Sequence, residues 1–461
     1  MYIEQLYTSC LAEAAYYIES NGEAAVIDPL RETSPYIELA NRRNAKIKYV
    51  FETHFHADFV SGHIDLARKV NAQIIYGPSA EPGYSAYIAK DEELFHIGEI
   101  KIKVMHTPGH TPESSCFLLI NKDGKDHCVF TGDTLFVGDV GRPDLAVKSN
   151  FTQEDLAGLL YESLNKKIKL LHDDVIVYPA HGAGSACGKN IGKETFSTIG
   201  TQKKMNYALQ PMTKEEFVKA VTEGLAAPPK YFFMDAAINK KGYQSIDEVM
   251  KSNTKSLSLE QTEKEINAGA LLLDTRNPEV FEAGFIPGSL NIGLNGQYAP
   301  WVGAILNPEV PIVIVAEKGK EEEAVLRLAR VGYEKVNGFV EGGVEAWKNS
   351  GRAISNVNSI NGENFTKEYD GFSTVIDVRN PGEWNGGVVE GAELITMSHL
   401  ESILSMLDRD KSYVVHCAGG YRSMMAASIM LKHGFNKVIN VRGGINKMKE
   451  SGLKLTVPEI A

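Results

Sequence analysis

The stretch "THFHADFVSGH", residues 53–63, sets His54, His56 and Asp58 at alternating positions and then puts Phe59 where a further metal-ligating histidine is expected. Four more pieces carry the same donor types: "HTPGHTPES" with His106 and His110, "TGDTLF" with Asp133, "GRPD" with Arg142 and "YPAHG" with His181. Imidazoles and carboxylates in this ordered set are the donors of a catalytic metal. A second chemistry is set out near the C-terminus. In "YVVHCAGGYRSMMAASIMLKHG", residues 413–434, a buried-type strand ends at Cys417, a short loop follows, and an apolar-rich helix begins. The glycines of "CAGGYR" let backbone N–H groups turn inward ahead of a helix N-terminus, which favours an anionic sulfur, and Arg422 adds a fixed positive charge.

These residues need elements to aim them. From residue 24, short β-branched or aromatic runs such as "AAVIDP", "IKYVFETH", "IKIKVMHTPGH", "CVFTGDTLF" and "DVIVYPAHG" alternate with turn signals, and nearly every metal-type residue sits just after such a run. That pattern predicts ligands in loops at one edge of sheets. Residues 243–257 read as linker, and "SLEQ" at 258–261 offers a capping box for a helix ahead of the strand "ALLLDTRN". An internal repeat follows: "LLLDTRNPEVF" (271–281) matches "TVIDVRNPGEW" (374–384), and "GYEKVNGFVEGGVEAWKNSG" (332–351) matches "GFNKVINVRGGINKMKESG" (434–452). Alternating strands and helical stretches in each copy predict a parallel sheet covered by helices. The expected domains are residues 1–245, 258–352 and 358–461. The middle copy reads "IVIVAEKGKEEEAVLRL" (312–328), with no cysteine and three consecutive glutamates where an anion would need stabilising. It is expected to be catalytically silent, serving spacing, docking or dimerisation.

At 461 residues the chain is too long for one ordinary core. A formal net charge of −11 argues against a general nucleic-acid binder. No window approaches 18 apolar residues in a row and "MYIEQLYTSC" lacks a signal-peptide pattern, so neither membrane span nor secretion is indicated and the expected location is cytoplasmic. Cys10, Cys116, Cys128, Cys187 and Cys417 form no CxxC pair, which fits a reduced compartment. Cys10, Cys116 and Cys128 are expected in the core. His63, His96, His106 and His127 are expected to be structural.

The five ordered metal-type motifs resemble the metallo-β-lactamase superfamily over roughly the first half of the chain, with the nearest likeness to persulfide dioxygenases, relatives of glyoxalase II. The fold class this implies is α/β: an N-terminal αββα metallo-β-lactamase sandwich followed by two smaller α/β domains with parallel sheets. The residues agree on the chemistry. His54, His110 and Asp133 can supply two imidazoles and one carboxylate to one face of a metal, the facial arrangement associated with non-haem Fe(II) oxygenases. A second metal would draw on Asp58, a ligand at 59 and His181, with Asp133 bridging, and Phe59 has no lone pair to give. One Fe(II) per chain is therefore expected, with His56, Asp58 and His181 hydrogen-bonding the ligands and fixing their tautomers. The "CAGGYR" loop resembles the rhodanese family, in which such a cysteine carries a persulfide; its C-x4-R spacing favours sulfur over the phosphate taken by the longer C-x5-R loop. Ala418 stands where rhodaneses often have Arg.

Arg142, in "GRPDL", is expected either to pair with a carboxylate or phosphate on a thiol carrier or to form a salt bridge within its loop. Cys187, in the glycine-rich "HGAGSACGKNIG", reads either as a wall of the substrate channel or as a small buried residue in a tight turn. Together the two sites predict an enzyme that oxidises a low-molecular-weight persulfide with O2 to sulfite and thiol, and forms or consumes thiosulfate at Cys417 with Arg422. The expected partners are persulfide, O2 and sulfite or thiosulfate, with homo-oligomerisation. Glutathione, coenzyme A, bacillithiol and cysteine all remain open as carriers. Two other readings stay open: a zinc-dependent thioester hydrolase of glyoxalase II type, and a noncatalytic persulfide carrier or sensor.

Overall fold

The runs rich in β-branched and aromatic residues pair as two six-stranded sheets in the computed structural model of the chain, which describes residues 1–146, 151–225, 227–368 and 373–458. The first sheet runs Tyr2–Thr8, Glu13–Ser20, Glu23–Ile27, Lys46–Glu52, Gln73–Tyr76 and Tyr87–Ile88. The second runs Ser197–Thr198, Ile176–Pro179, Asp126–Gly132, Ser115–Ile120, Ile100–His106 and Leu94–Ile97. Inward-pointing residues of both meet in one core, with Tyr16, Phe51 and Ile75 facing Ile102, Phe117 and Phe130. The ring centroids of Tyr16 and Phe130, and of Phe51 and Phe117, lie 4.9 Å apart in inclined packing, the arrangement aromatic quadrupoles favour.

The outward faces are apolar too, so each takes helices. Ser34–Arg42 and His63–Val70 bury Tyr36, Leu39 and Leu66 against the first sheet. Gln153–Lys166 and Lys214–Thr222 bury Leu160, Leu164, Phe217 and Val221 against the second. Both latter helices start at a capping box, Thr152 with Asp155 and Thr213 with Glu216, which satisfies two otherwise orphaned N–H groups at each start. The outcome is an αββα sandwich.

Each repeat forms a five-stranded, all-parallel sheet. The first orders Ser256–Leu257, Val336–Val340, Ile312–Val315, Leu271–Asp274 and Leu290–Asn291; the second orders Asn358–Asn361, Val438–Arg442, Tyr413–His416, Thr374–Asp377 and Glu393–Leu394. The central strands Ile312–Val315 and Tyr413–His416 are buried throughout, as strands covered on both faces must be. The predicted Ser258 capping box forms, with Ser258 Oγ accepting from Gln261 N and Gln261 Oε1 accepting from Ser258 N. The chain divides into two compact units, Met1–Val249 with Ala329–Gly332, and Met250–Leu328 with Tyr333–Ala461, so both repeats share the second unit.

Two expectations fail. Residues 243–257 are not linker: they hold the helix Ile246–Asn253 and the strand Ser256–Leu257. Ile246 and Val249 stand three residues apart on one buried face, and Asp65 accepts a hydrogen bond from Ile246 N at 2.8 Å. Cys10 is not core. It lies half-buried in the turn after Tyr2–Thr8, with Arg330 Nη1 3.6 Å from its sulfur, whereas Cys116 and Cys128 are fully buried in strands. No helix among the described residues is long and apolar enough to cross a membrane.

Candidate functional site

His54 follows the strand Lys46–Glu52, His110 follows Ile100–His106, Asp133 follows Asp126–Gly132 and His181 follows Ile176–Pro179, so strand ends from both sheets converge. His54 Nε2 lies 3.8 Å and His110 Nε2 3.4 Å from Asp133 Oδ2. Ligand atoms from all three residues lie within 4.8 Å of one another. Each of these three atoms is buried and lacks a hydrogen-bond partner. Buried polar atoms are rarely left so, and three of them aimed at one point are the signature of a metal seat. The far side of each ligand is tied down. His54 Nδ1 meets Thr53 Oγ1 at 3.0 Å, His110 Nδ1 donates to the Arg142 carbonyl at 2.8 Å, and Asp133 Oδ1 accepts from His181 Nδ1 at 2.8 Å. A carbonyl can only accept, so the His110 proton sits on Nδ1 and the Nε2 lone pair faces the centre. A Cβ on Gly141 would lie 2.8 Å from His110 Nδ1 and 2.0 Å from the Asp133 carbonyl, so only glycine lets the "GRPD" loop come this close.

The electrostatics match the donor set. Burial pushes the His54 imidazole well down, reinforced by His56, which keeps it neutral. For Asp133, burial works upward, but His181, through charge and hydrogen bond, outweighs it and holds the carboxyl below the usual range. His181 shows the reverse balance: burial works downward, yet Asp133 and then Asp58 raise it well above an ordinary histidine. Its Nδ1 hydrogen-bonds Asp133 at 2.8 Å, and its Nε2 lies 2.8 Å from Asp58 as an ion pair without a hydrogen bond. Phe59 is fully buried, its ring centroid 4.4 Å from that of His56 and 6.4 Å from that of His181.

His56 does not hydrogen-bond a residue of the triad, contrary to expectation. Its Nε2 turns to Asp28 Oδ1 at 3.1 Å, with Glu52 at 3.9 Å. Asp28 has a left-handed backbone, φ +48°, tolerated by Asp, and its carboxylate accepts from both the N–H and Oγ1 of Thr53 at 2.8 Å. His56 thus reaches His54 through Asp28 and Thr53. Neither Asp28 nor Thr53 was foreseen; the aspartate closing the run "AAVIDP" was the available signal. Arg142 forms the ion pair within its loop, bonding both Asp144 oxygens at 2.6 and 2.8 Å and the Ala186 carbonyl at 3.2 Å. Cys187 is buried, and its sulfur lies within 4.8 Å of ligand atoms of Asp58 and His181. Burial, with Asp58 and Asp133 beside it, pushes its thiol well up.

In the last repeat Cys417 follows Tyr413–His416 and precedes the helix Tyr421–Lys432. Its sulfur accepts a hydrogen bond from Gly420 N at 3.1 Å and lies 3.7 Å from Ser423 Oγ. Gly420 has φ +108°, which glycine adopts without strain, and this turns its N–H inward. Arg422 is bonded through both Nη atoms to Glu383 at 2.6 and 2.7 Å, so the expected free positive charge is already shared with a carboxylate. A cavity of about 370 Å³ opens over Cys417.

The metallo-beta-lactamase superfamily model matches residues 9–181, and the rhodanese-like domain model matches residues 258–350 and 363–451. The human mitochondrial persulfide dioxygenase ETHE1 is 30% identical over 228 residues, covering 48% of this chain and 81% of the human protein. The probable hydroxyacylglutathione hydrolase glo2 of Schizosaccharomyces pombe is 32% identical over 160 residues, 34% of this chain and 58% of the yeast one, so the match spans somewhat under two thirds of that relative. A metallo-beta-lactamase from Staphylococcus aureus, known from its crystal structure, superposes with a TM-score of 0.65 at 32% identity, covering 74% of this chain and 98% of that one.

Proposed function

Because this chain belongs to the metallo-beta-lactamase superfamily and carries two rhodanese-like domains, we propose that it oxidises a low-molecular-weight thiol persulfide with O2 at one iron and moves sulfane sulfur at Cys417. The observation that carries the single-metal reading is the pair His181 and Phe59. Position 59 offers no donor atom, and each His181 nitrogen lies 2.8 Å from a carboxylate oxygen, Nδ1 in a hydrogen bond to Asp133 and Nε2 in an ion pair with Asp58. Of the three buried donor groups among the described residues, His54–His110–Asp133, Asp58–His181–Cys187 and Asp28–Glu52–His56, the first alone joins two imidazoles to one carboxylate, and it is taken as the ligand set. Bound there, Fe(II) would supply a redox-active Lewis acid with open positions for a sulfur ligand and for O2. His54 and His110 present Nε2, the latter with its Nδ1 hydrogen bonded to the Arg142 carbonyl, and Asp133 presents Oδ2. His181 donates its Nδ1 proton to Asp133 Oδ1, which stays ionised, and its other nitrogen pairs with Asp58. The overall change is RSSH + O2 + H2O giving RSH, sulfite and two protons.

At Cys417 a sulfite lone pair attacks the outer sulfur of a Cys417 persulfide. A new S–S bond makes thiosulfate as the Sγ–S bond breaks, and the electron pair returns to Sγ, where the Gly420 N–H receives it. Run in reverse, the same step loads Cys417 from thiosulfate. A reduced, cytoplasmic setting suits both chemistries. The test is oxygen consumption by iron-loaded protein over a panel of persulfides. Thioester hydrolysis by zinc-loaded protein without oxygen uptake would sink this reading and favour the second one, a hydrolase of the kind named for the Schizosaccharomyces pombe relative.

A further inference from the structure

The cavity over Cys417 is not built by its own repeat alone. Alongside Asn380, Ala418, Tyr421 and Arg422, it is lined by Gln297 and Trp301 of the preceding, cysteine-less repeat. Trp301 lies on the helix Tyr298–Ile305, and Gln297 caps its start. The segment leading into that helix is clamped from both repeats. Tyr421, within the "CAGGYR" loop itself, donates its hydroxyl to the Gly293 carbonyl at 2.6 Å. Arg327 of the cysteine-less repeat donates to the Leu294 and Gly296 carbonyls at 2.6 and 3.2 Å. A Cβ on Gly296 would come within 2.6 Å of the Tyr421 ring. The two repeats are joined further by Ser428 Oγ, which accepts from Asn291 N at 3.0 Å, and by the ion pair of Arg442 with Glu282 at 2.6 Å. Trp301 and Gln297 are therefore fixed walls of the cavity.

The lining says what kind of donor fits. An inorganic dianion needs an uncompensated cation when it leaves water. The one guanidinium at the cavity is bonded to Glu383 through two nitrogens. The other polar side chains are the amides of Gln297 and Asn380, beside the aromatic faces of Trp301 and Tyr421. Aromatic faces with a few amides suit the carbon skeleton of a small organic molecule, and the volume lies in the range of small-ligand pockets.

We propose that the cysteine-less repeat selects the sulfur donor for Cys417: Trp301 and Gln297 hold the organic part of a thiol persulfide, in preference to thiosulfate. This rests on the sulfur-transfer role given to Cys417. In the step itself, the Cys417 thiolate attacks the outer sulfur of RS–SH. The Sγ–S bond forms, the RS–S bond breaks with its electron pair leaving on RS⁻, and Cys417 keeps the SH; no oxidant enters. Trp301 and Gln297 are positioning residues here, since neither touches the bond that breaks.

The experiment loads the full-length protein with cysteine persulfide, glutathione persulfide or thiosulfate and follows persulfidation of the Cys417 peptide by quenched mass analysis. With Trp301→Ala, KM for the organic persulfides should rise about tenfold while kcat changes less than about twofold, the loss of one aromatic contact. Thiosulfate loading should not weaken, Trp301→Phe should restore most of the affinity, and oxygen uptake should not change. A bulky alkylating reagent should also reach Cys417 faster in Trp301→Ala, while iodoacetamide gains little. Equal losses for organic and inorganic donors, or none, with unaltered access of the bulky reagent, would overturn the proposal while leaving Cys417 as the transfer residue. If Cys417→Ser protein transferred sulfur as well as wild type, the transfer role would fall and the proposal with it.

Discussion

After equivalent strands in the same sheet position, one repeat places Cys417 and the other Ala316. Tyr413–His416 pairs in parallel with Thr374–Asp377 just as Ile312–Val315 pairs with Leu271–Asp274, so the two loops start from matching geometry. The supports beneath them are also the same. Arg379 grips Asp377 and Arg276 grips Asp274, each through Nη2 at 2.6 Å, inside the fold. What differs is the loop. The left-handed glycine recurs, Gly420 in one and Gly319 in the other, but where the second repeat has Ala418 and Arg422 the first has Glu317 and Glu321. Of the two lysines in that loop, Lys318 and Lys320, the second is paired with Glu323 at 2.8 Å and so is spent locally. The comparison teaches that the same scaffold can stand without a nucleophile, and the packing around Tyr421 is where the task proposed for it would be carried out.

Under the proposed function, sulfur transfer belongs to one repeat and oxygen chemistry to neither, and the largest expected effects test that division. His110→Ala and Asp133→Ala should each abolish iron binding and oxygen uptake, because a facial triad has no spare ligand, yet leave thiosulfate sulfurtransferase activity at Cys417 intact. Metal analysis should find about one iron per wild-type chain; two tightly held metals would break the argument from Phe59. Conversely, Cys417→Ser should remove sulfur transfer by about three orders of magnitude and shift product from thiosulfate toward sulfite, with oxygen uptake retained.

A sharper cut is Ala316→Cys in a Cys417→Ser background. The cysteine returns, but its loop still carries Glu317 and Glu321, so transfer should stay below about a hundredth of wild type, the scale on which one misplaced catalytic interaction is felt. Recovery of activity would mean that the scaffold alone suffices and that the loop comparison is wrong. At the next scale, Asp274→Ala and Asp377→Ala should each cost about 3–5 kcal/mol, since each strands a buried arginine. Denaturant unfolding that showed a large loss for only one of them would show that the repeats do not share a support.

Much of this arrangement was legible because it depends on local order in the chain. Strand-end placement predicted the convergence of His54, His110 and Asp133, and the missing donor at Phe59 can be read from a single letter. The turn of His56 could not be, since it depends on Asp28, whose carboxylate bonds Thr53 across a separation of 25 residues and from a left-handed backbone. The helix Ile246–Asn253 was missed because three apolar residues, Ile246, Val249 and Met250, make barely one turn of periodic signal in a short polar segment. The role of the cysteine-less repeat was the least accessible. Its sequence shows only an absent cysteine, whereas the place of Trp301 and Gln297 in the Cys417 cavity depends on a contact with the neighbouring repeat.

The smallest effect is expected at Cys187, where the contrast with Cys417 is most direct. Both cysteines are about 99% buried, at 1% exposure each, and both stand beside groups that do chemistry. Cys417 has a backbone N–H aimed at its sulfur and an arginine in its loop, the surroundings of a thiolate that accepts sulfur. Cys187 stands beside the carboxylates of Asp58 and Asp133, which repel the anion such a step requires, while its carbonyl accepts from Arg142 N at 2.9 Å and so helps seat the loop whose Arg142 carbonyl orients His110. These surroundings favour a packing role beside the His54–His110–Asp133 cluster over sulfur transfer. Cys187→Ser should therefore keep its iron and hold oxygen uptake within about threefold of wild type, the scale of a one-atom change in a packed site. Under anaerobic persulfide, peptide mass analysis should find sulfane sulfur on Cys417 and none on Cys187. A trapped sulfur or mixed disulfide on Cys187, together with a collapse of oxygen uptake in the serine variant, would make it a sulfur carrier on the way to the iron and erase the contrast.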